Sequence, residues 1–111
     1  MAVTVKTLIP AKQAEAVQTG QYTAVNCRTI IDKFTATNFS GTAATISVNL
    51  VTLAGTAGNL NLITKDKSLS PSETYTFPEL VGQIIPAGGF ISTVAGTADS
   101  INMRVSGREI S

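Results

Sequence analysis

The 111-residue sequence predicts an all-β protein, an antiparallel β-sandwich of jelly-roll-like order with an extended N-terminal arm. Apolar and polar residues alternate with a period of two along several segments, which is the pattern of half-buried strands. Turn-forming Gly, Pro, Asn and Ser separate these segments about every ten residues, as in sandwiches and jelly rolls. Length favours a single folding unit. We expect residues 1–20 to form an arm or edge strand and residues 21–111 to form the sandwich.

The clearest strand covers Ala44–Leu50, where aliphatic positions alternate with Thr, Ser and Asn. A segment rich in β-branched residues, Thr29–Thr37, precedes it. Between them lies Asn38–Gly41, whose Asn, Ser and Gly favour tight turns. The sequence therefore predicts a hairpin of these two strands. The residues predicted to face the core are Ile30, Phe34, Ala36, Ala44, Ile46, Val48 and Leu50.

The last strand shows the same alternation, with Ile101, Met103 and Val105 predicted to point inward. Pro10–Gln18 contains good helix formers but has no apolar stripe, so an extended arm or loop is favoured over a short helix. Such an arm would suit strand addition to a neighbouring subunit. Further strands are predicted at Val3–Ile9, Gln21–Val25, Leu60–Thr64, Thr74–Phe77 and Phe90–Ala95, and a single helical turn at Pro78–Gly82.

One phrase occurs twice, as LAGTAGNLNL from Leu53 and as VAGTADSINM from Val94. Neither copy has the Gly-Lys-Ser/Thr ending of a phosphate loop, so a phosphate cradle is not indicated. The similarity extends into the flanking strands and predicts two hairpin corners built with the same turn residues. Thr56 and Thr97 lie at the tips of these corners and are candidate contacts to another subunit.

Charge is sparse, at 14% of residues with a net charge of +1, which disfavours nucleic acid and anionic membranes as partners. The N-terminus lacks the apolar run of a signal peptide, and no window is long enough for a spanning helix. Cys27 has no partner for an internal disulfide, which fits a reducing cytoplasm. It is expected to be a small apolar residue at the start of a strand.

The absence of histidine excludes Ser-His-Asp and Cys-His catalysis and histidine-based zinc sites. The seven acidic residues are scattered, so neither a glycosidase pair nor a calcium loop is indicated. We therefore expect no catalytic residue, no cofactor, no metal and no enzymatic activity. Asp32 is predicted to form an end-of-strand or interface ion pair, with a residue such as Arg28 or Arg104, rather than to act in catalysis.

Three arginines are candidate contacts to a partner because a guanidinium binds carboxylates in a bidentate manner. They are Arg28, Arg104 and Arg108. Arg108 is the preferred candidate, since the final strand is expected to end before it and leave a tail, Ser106–Ser111, free to reach a neighbour.

Six short segments carry a further signal, and they are spread along the chain from about Arg28 onward: Arg28–Asp32, Thr35–Asn38, Ser70–Tyr75, Pro78–Gly82, Ala95–Ala98 and Gly107–Ile110. Together they resemble small β-rich proteins encoded among the virion genes of tailed bacteriophages and prophages. The resemblance implies a structural, non-enzymatic virion component that is assembled in the host cytoplasm.

Within that group, a capsid decoration or cement protein is the leading interpretation, binding the lattice in many copies. The expected partners are the protein itself, as a homotrimer, and the major capsid protein or another virion protein. A neck, collar or tail-associated role is the alternative, as is a tail module that binds a receptor or glycan. The lack of Trp and the presence of only Tyr22 and Tyr75 argue against glycan binding.

Overall fold

A computed structural model describes residues 2–111 as two antiparallel sheets packed face to face. The first, sheet A, has the strand order β1-β9-β3-β6, with β7 also paired to β3; sheet B has the order β2-β8-β4-β5. A short 3-10 helix at Asn59–Asn61 precedes β5. The strands are β1 (Val3–Gln13), β2 (Thr19–Thr23), β3 (Arg28–Asn38), β4 (Ala44–Val51), β5 (Leu62–Leu69), β6 (Thr74–Tyr75), β7 (Ile84–Ile85), β8 (Phe90–Ala95) and β9 (Ile101–Ile110).

The strand pairs are nested, because β1 pairs with β9, β2 with β8, β3 with β6 and β7, and β4 with β5. A chain with this nesting is one long hairpin that has been rolled up so that successive pairs enter alternate sheets. The predicted all-β antiparallel sandwich is confirmed, and the nesting is compatible with the predicted jelly-roll-like order.

The core lies between the sheets and is built from the alternating positions of the longer strands. On β9, Ile101, Met103 and Val105 are buried, as predicted. On β4, however, the polar positions Ser47 and Asn49 are buried as well. The chain around β5 covers them: Ser47 donates to the Asp66 carboxylate at 3.2 Å, and the Asn49 amide donates to the Gly58 carbonyl at 2.9 Å.

A bulge in β3 changes which of its residues face the core. The pairing register with β9 shifts between Ile31 and Lys33, so Ile31 is fully buried together with Phe34 and Ala36. Ile30 was predicted to face inward and instead faces outward, half-buried. Asp32 lies at the bulge and is exposed rather than sharing the core face. Strict alternation fails here because a bulge adds one residue to one strand only.

The predicted hairpin of β3 and β4 is wrong, because the two strands lie in different sheets. Asn38 is buried at the crossing, where its amide nitrogen donates to the carbonyls of Thr42 and Leu69 at 2.8 and 2.9 Å. Its side-chain oxygen accepts from the Ser40 backbone N–H at 2.9 Å. The turn-forming residues are therefore used to carry the chain from one sheet to the other.

The two AGTA corners also differ. The first joins β4 to β5, which are neighbours in sheet B, so it closes a hairpin as predicted. The second joins β8 in sheet B to β9 in sheet A, so the second predicted hairpin is wrong. Because β4 and β8 are antiparallel, with Val51 opposite Phe90 and Ile46 opposite Ala95, the two corners lie at opposite ends of the sandwich.

The described part of the predicted N-terminal arm takes the edge-strand form. β1 pairs with β9 of the same chain, and Leu8 and Ile9 are buried in the core. Its extended course through Gln13 replaces the alternative of a helix over Pro10–Gln18. The first residue of the predicted arm, Met1, lies outside the described residues.

The C-terminal segment is not a free tail, because β9 continues to Ile110 between β1 and β3. The backbone N–H of Ser111 donates to the carbonyl of Ala2 at 3.0 Å, and the N–H of Ala2 donates to the carbonyl of Ser111 at 3.0 Å. The predicted helical turn at Pro78–Gly82 is a turn without helix. Cys27 is buried immediately before β3, as predicted.

Candidate interaction surface

The outer face of sheet A carries a band of aliphatic side chains near the end of β9. Directly paired residues of antiparallel strands project from the same face of a sheet. One such row runs Val5, Arg108, Ile30 and Ile84 across β1, β9, β3 and β7, and the next runs Val3, Ile110 and Arg28. We call the five apolar members the aliphatic band: Val3, Val5, Ile30, Ile84 and Ile110.

Three members of the aliphatic band are largely exposed: Val3 at 55%, Val5 at 82% and Ile84 at 58%. An antiparallel sheet with one face in water ordinarily places polar side chains there. Contiguous exposed apolar side chains are characteristic of binding surfaces. This face is therefore the candidate interaction surface.

Arg108 stands in the middle of the band and is held by Asp32. The guanidinium donates three hydrogen bonds to that carboxylate, from Nε to Oδ2 at 3.0 Å and to Oδ1 at 3.2 Å, and from Nη2 to Oδ1 at 2.9 Å. The bond to Asp32 raises the pKa of Arg108. An ion pair at Asp32 was predicted with a residue such as Arg28 or Arg104, and in the structure the partner is Arg108. Because both groups are exposed, the pair orients Arg108 more than it stabilises the fold.

The other two predicted arginines lie on the same outer face. Arg28 lies opposite Ile110 at the start of β3, and Arg104 lies opposite Thr35 in the middle of β9. Arg104 makes one weak contact, from Nη2 to the Thr7 hydroxyl at 3.4 Å. Sheet A thus brings together all three arginines that the sequence singled out.

The two predicted threonine contacts are exposed but do not join a common patch. Thr56 lies in the corner after β4 and Thr97 in the corner after β8, at opposite ends of the sandwich. Arg108 is also distant from Thr97, because it lies near the far end of β9. The structure therefore separates the repeated tips from each other.

A depression of about 480 Å³ opens beside the ion pair and extends the candidate surface. Its apolar wall comes from the turn between β6 and β7, where the sequence predicted a single helical turn and no binding role. The sequence contained a signal in Val81 and Ile84, two aliphatic residues in a segment with few polar residues, and the structure shows that both are exposed. The lining residues are Asp32, Lys33, Thr76, Pro78 and Val81.

Beneath the band, Tyr22 of sheet B joins the two sheets. Its hydroxyl donates to the Glu109 carboxylate and lies 2.7 Å from the Thr29 hydroxyl. Lys6 also donates to Glu109, at 3.3 Å. The bond from Tyr22 holds the pKa of Glu109 below its ordinary value, and burial together with Glu109 raises the pKa of Tyr22. These contacts fix the end of β9 that carries Arg108.

Within residues 2–111, no group of three or more His, Cys, Asp or Glu side chains is placed to hold a metal ion. The same residues contain no helix with the length and apolar character needed to cross a bilayer. Every buried side-chain nitrogen or oxygen in this part of the chain has a hydrogen-bond partner.

Comparisons with known proteins point to the fold. No protein-family model matches the sequence, and no curated protein matches it. A chain in the structure of the infectious bursal disease virus Gx strain is similar in structure, with a TM-score of 0.55 and 17% sequence identity. The similarity covers 97% of this chain and 32% of that chain, so the present chain spans about a third of the length of the other. It shows that the whole β-sandwich is a fold that also occurs in a virus structure.

Proposed function

We propose that the protein is a structural component of a virus particle, and that it decorates the capsid of a bacteriophage in many copies. The observation that carries the proposal is the fold likeness, which includes 97% of this chain and comes from a virus structure. The bacteriophage source and the decoration role rest on the resemblance carried by segments such as Ser70–Tyr75 and Gly107–Ile110. The particle would be assembled in the host cytoplasm.

The outer face of sheet A supports this role physically. Arg28 lies in the row of Val3 and Ile110, and Arg104 lies on the same outer face of β9; exposed cations and aliphatic side chains on one face suit a partner surface with carboxylates and apolar residues. Each contact of a decorating protein can be weak, since many linked copies multiply the affinity. The major capsid protein, or another virion protein, would supply the partner surface.

A neck, collar or tail position is the main alternative, and copy number separates it from decoration. A glycan-binding tail module has less support, because both tyrosine rings are engaged. Tyr22 is buried. The ring of Tyr75 packs against the ring of Phe77, with 4.6 Å between the two centroids, and the Lys67 ammonium lies 4.8 Å from the centroid of the Tyr75 ring. Neither ring offers an open face of the kind that carbohydrates stack on.

The test is to locate and count the protein in purified particles by cryo-electron microscopy and quantitative mass spectrometry. Hundreds of copies on the capsid support decoration, whereas about six or twelve copies support a symmetric neck or tail position. Absence from the particle overturns the proposal.

A charge-reversal pair tests the surface itself. The double variant Arg28→Glu with Arg104→Glu is expected to lower particle occupancy at least tenfold, by removing both cationic contacts. The matched control is Lys65→Glu, an exposed cation on β5 of sheet B, which is expected to retain occupancy. Equal occupancy in all three proteins would exclude the outer face of sheet A as the lattice contact.

A further inference from the structure

We propose that two copies of this chain associate through the first half of β1, pairing edge to edge about a two-fold axis at Thr4. Val3 and Val5 of the two aliphatic bands then lie next to each other across the axis. This association is a property of the chain itself, and it stands or falls independently of the particle role.

The first observation is an open strand edge. β1 is the terminal strand of sheet A, and within residues 2–111 no strand pairs with its other side. From Val3 to Thr7 the pairing with β9 is regular, and all five side chains are exposed. A regular exposed edge of this kind presents free N–H and C=O groups to another strand.

The second observation is the position, along β1, of the features that usually prevent a strand edge from pairing with another chain. Pro10, Lys12 and both register shifts, between Thr7 and Ile9 and between Ile9 and Lys12, fall in its second half. Prolines, lysines and bulges are devices that block edge pairing. The first half has Lys6 alone, and its charge is balanced by Glu109 at 3.3 Å. The edge from Val3 to Thr7 is therefore unprotected.

The third observation identifies the occupant as a second copy. A two-fold interface must be self-complementary. The sequence Val3-Thr4-Val5 reads the same in both directions, so antiparallel pairing about Thr4 places each Val3 opposite Val5 of the second copy. Pairing about Thr4 also places Lys6 opposite Ala2 rather than opposite another lysine. The contact thus joins apolar to apolar side chains and opposes no like charges.

The size of the interface sets the expected affinity of the dimer. A ladder of five residues is about 17 Å long, and it buries less than the roughly 800 Å² per partner of a standard interface. We therefore expect a reversible dimer that dissociates in the micromolar range, on the order of 10 µM. A two-fold pair also differs from the homotrimer expected from the sequence.

The experiment is sedimentation equilibrium of the full chain over about two orders of magnitude in concentration around the expected dissociation constant. The wild-type chain is expected to change from monomer to dimer. Val5→Lys places two lysines near each other at the contact and is expected to raise the dissociation constant at least tenfold. The matched control is Val25→Lys, an equally large aliphatic residue, 68% exposed, outside β1. Circular dichroism checks that each variant is folded.

A mixture tests the register. Val3→Glu alone is expected to weaken the dimer, and mixing Val3→Glu chains with Val5→Lys chains is expected to restore it, because the opposite charges face each other across the two-fold axis. A monomer or a trimer at every concentration overturns the proposal. So does a dimer that Val5→Lys leaves unchanged. Weakening by both variants without restoration in the mixture overturns the register about Thr4.

Discussion

The hydroxyl group of Tyr22 is the residue-scale feature that most clearly connects the sheets. Tyr22 belongs to β2 of sheet B, whereas its partners Thr29 and Glu109 belong to sheet A. Glu109 lies 87 positions away in the sequence, so no local pattern predicts the contact. The sequence indicated a strand that includes Tyr22 but not the partner of its hydroxyl group.

Tyr22→Phe is expected to lower the free energy of unfolding by about 1.5 to 3 kcal/mol, since it removes a hydrogen bond to a charged acceptor and keeps the ring. Urea unfolding measures the change. A double-mutant cycle with Glu109→Gln isolates the pair, and a positive coupling energy is expected. Additive effects of the two substitutions would show that the contact contributes nothing to stability.

The pKa of Glu79 affects how the free energy of unfolding depends on pH in acid. Burial alone would raise its pKa, but hydrogen bonds from Thr64 at 2.5 Å and Tyr75 at 2.6 Å hold the pKa below the ordinary value of 4.5. A lowered pKa in the folded state stabilises the protein above pH 4.5, and that stabilisation is lost as the pH falls through the folded-state pKa. The hydrogen bond between Tyr75 and Glu79 also raises the pKa of Tyr75 to about 12.

The free energy of unfolding is therefore expected to fall as the pH is lowered below about 4.5, and Glu79→Gln is expected to make that fall shallower. Denaturant unfolding at a series of pH values measures both slopes. Glu73→Gln, a second carboxylate in the same surface segment, serves as the comparison. Identical acid profiles for wild type and Glu79→Gln would contradict this account.

At the scale of elements, Gly107 is a position on β9 where the neighbouring strands β1 and β3 leave no room for a side chain. A Cβ atom there would collide with the Ile30 carbonyl oxygen and lie 2.9 Å from Leu8 Cδ1. Backbone cannot move away cheaply when it is bonded on both sides, as β9 is in sheet A. A side chain at residue 107 would therefore disrupt two strand pairs at once.

Gly107→Ala is expected to destabilise the protein by about 3 kcal/mol, the upper range for overpacking. Gly41→Ala is the matched control, because no atom lies within 4 Å of its Cβ position. Thermal and urea unfolding of the two variants provide the comparison. Equal stabilities would mean that the three strands can separate at this point without cost.

Strand existence could be predicted at this scale, but strand neighbours could not. The alternation of Ile101, Met103 and Val105 reports a buried face directly, and the structure confirms it. The turn at Asn38–Gly41 looks the same in sequence whether the next strand pairs with the last or crosses to the other sheet. That choice depends on β9, which inserts beside β3 from the far end of the chain.

At the scale of the whole molecule, nested pairing makes the first and last strands mutually dependent. β1 covers one side of β9, and it contributes Leu8 and Ile9 to the core, with Ile9 fully buried. Such long-range pairing is also typical of slowly folding β proteins. β1 is therefore part of the sandwich.

A chain that begins at Ala14 is expected to lose cooperative unfolding, because it lacks β1 and exposes the core surface that Ile9 covers. A chain that begins at Val3 is expected to retain it. Near-ultraviolet circular dichroism and urea titration distinguish the two. A cooperative transition in the shorter chain would mean that β1 is dispensable for folding.

The candidate surface could be predicted only in part, for a reason that belongs to this scale. Arg104 and Arg108 lie four positions apart, and period-two geometry gives them a common face only because β9 continues to Ile110, where the sequence predicted a free tail from Ser106. The aliphatic band requires the lateral order of β1, β9, β3 and β7, which brings Val5, Ile30 and Ile84 into one row. The sequence identifies these residues, but it does not show that they lie in one row.

The reciprocal hydrogen bonds between Ala2 and Ser111 place the two ends of the described chain side by side. Any sequence fused before residue 2 or after residue 111 would leave the protein at the same corner. A short linker between these residues would also close the chain into a ring with little change in its strands. The ring could then be reopened at Thr56 or Thr97, which would turn the two repeated corners into the new termini of a circular permutant.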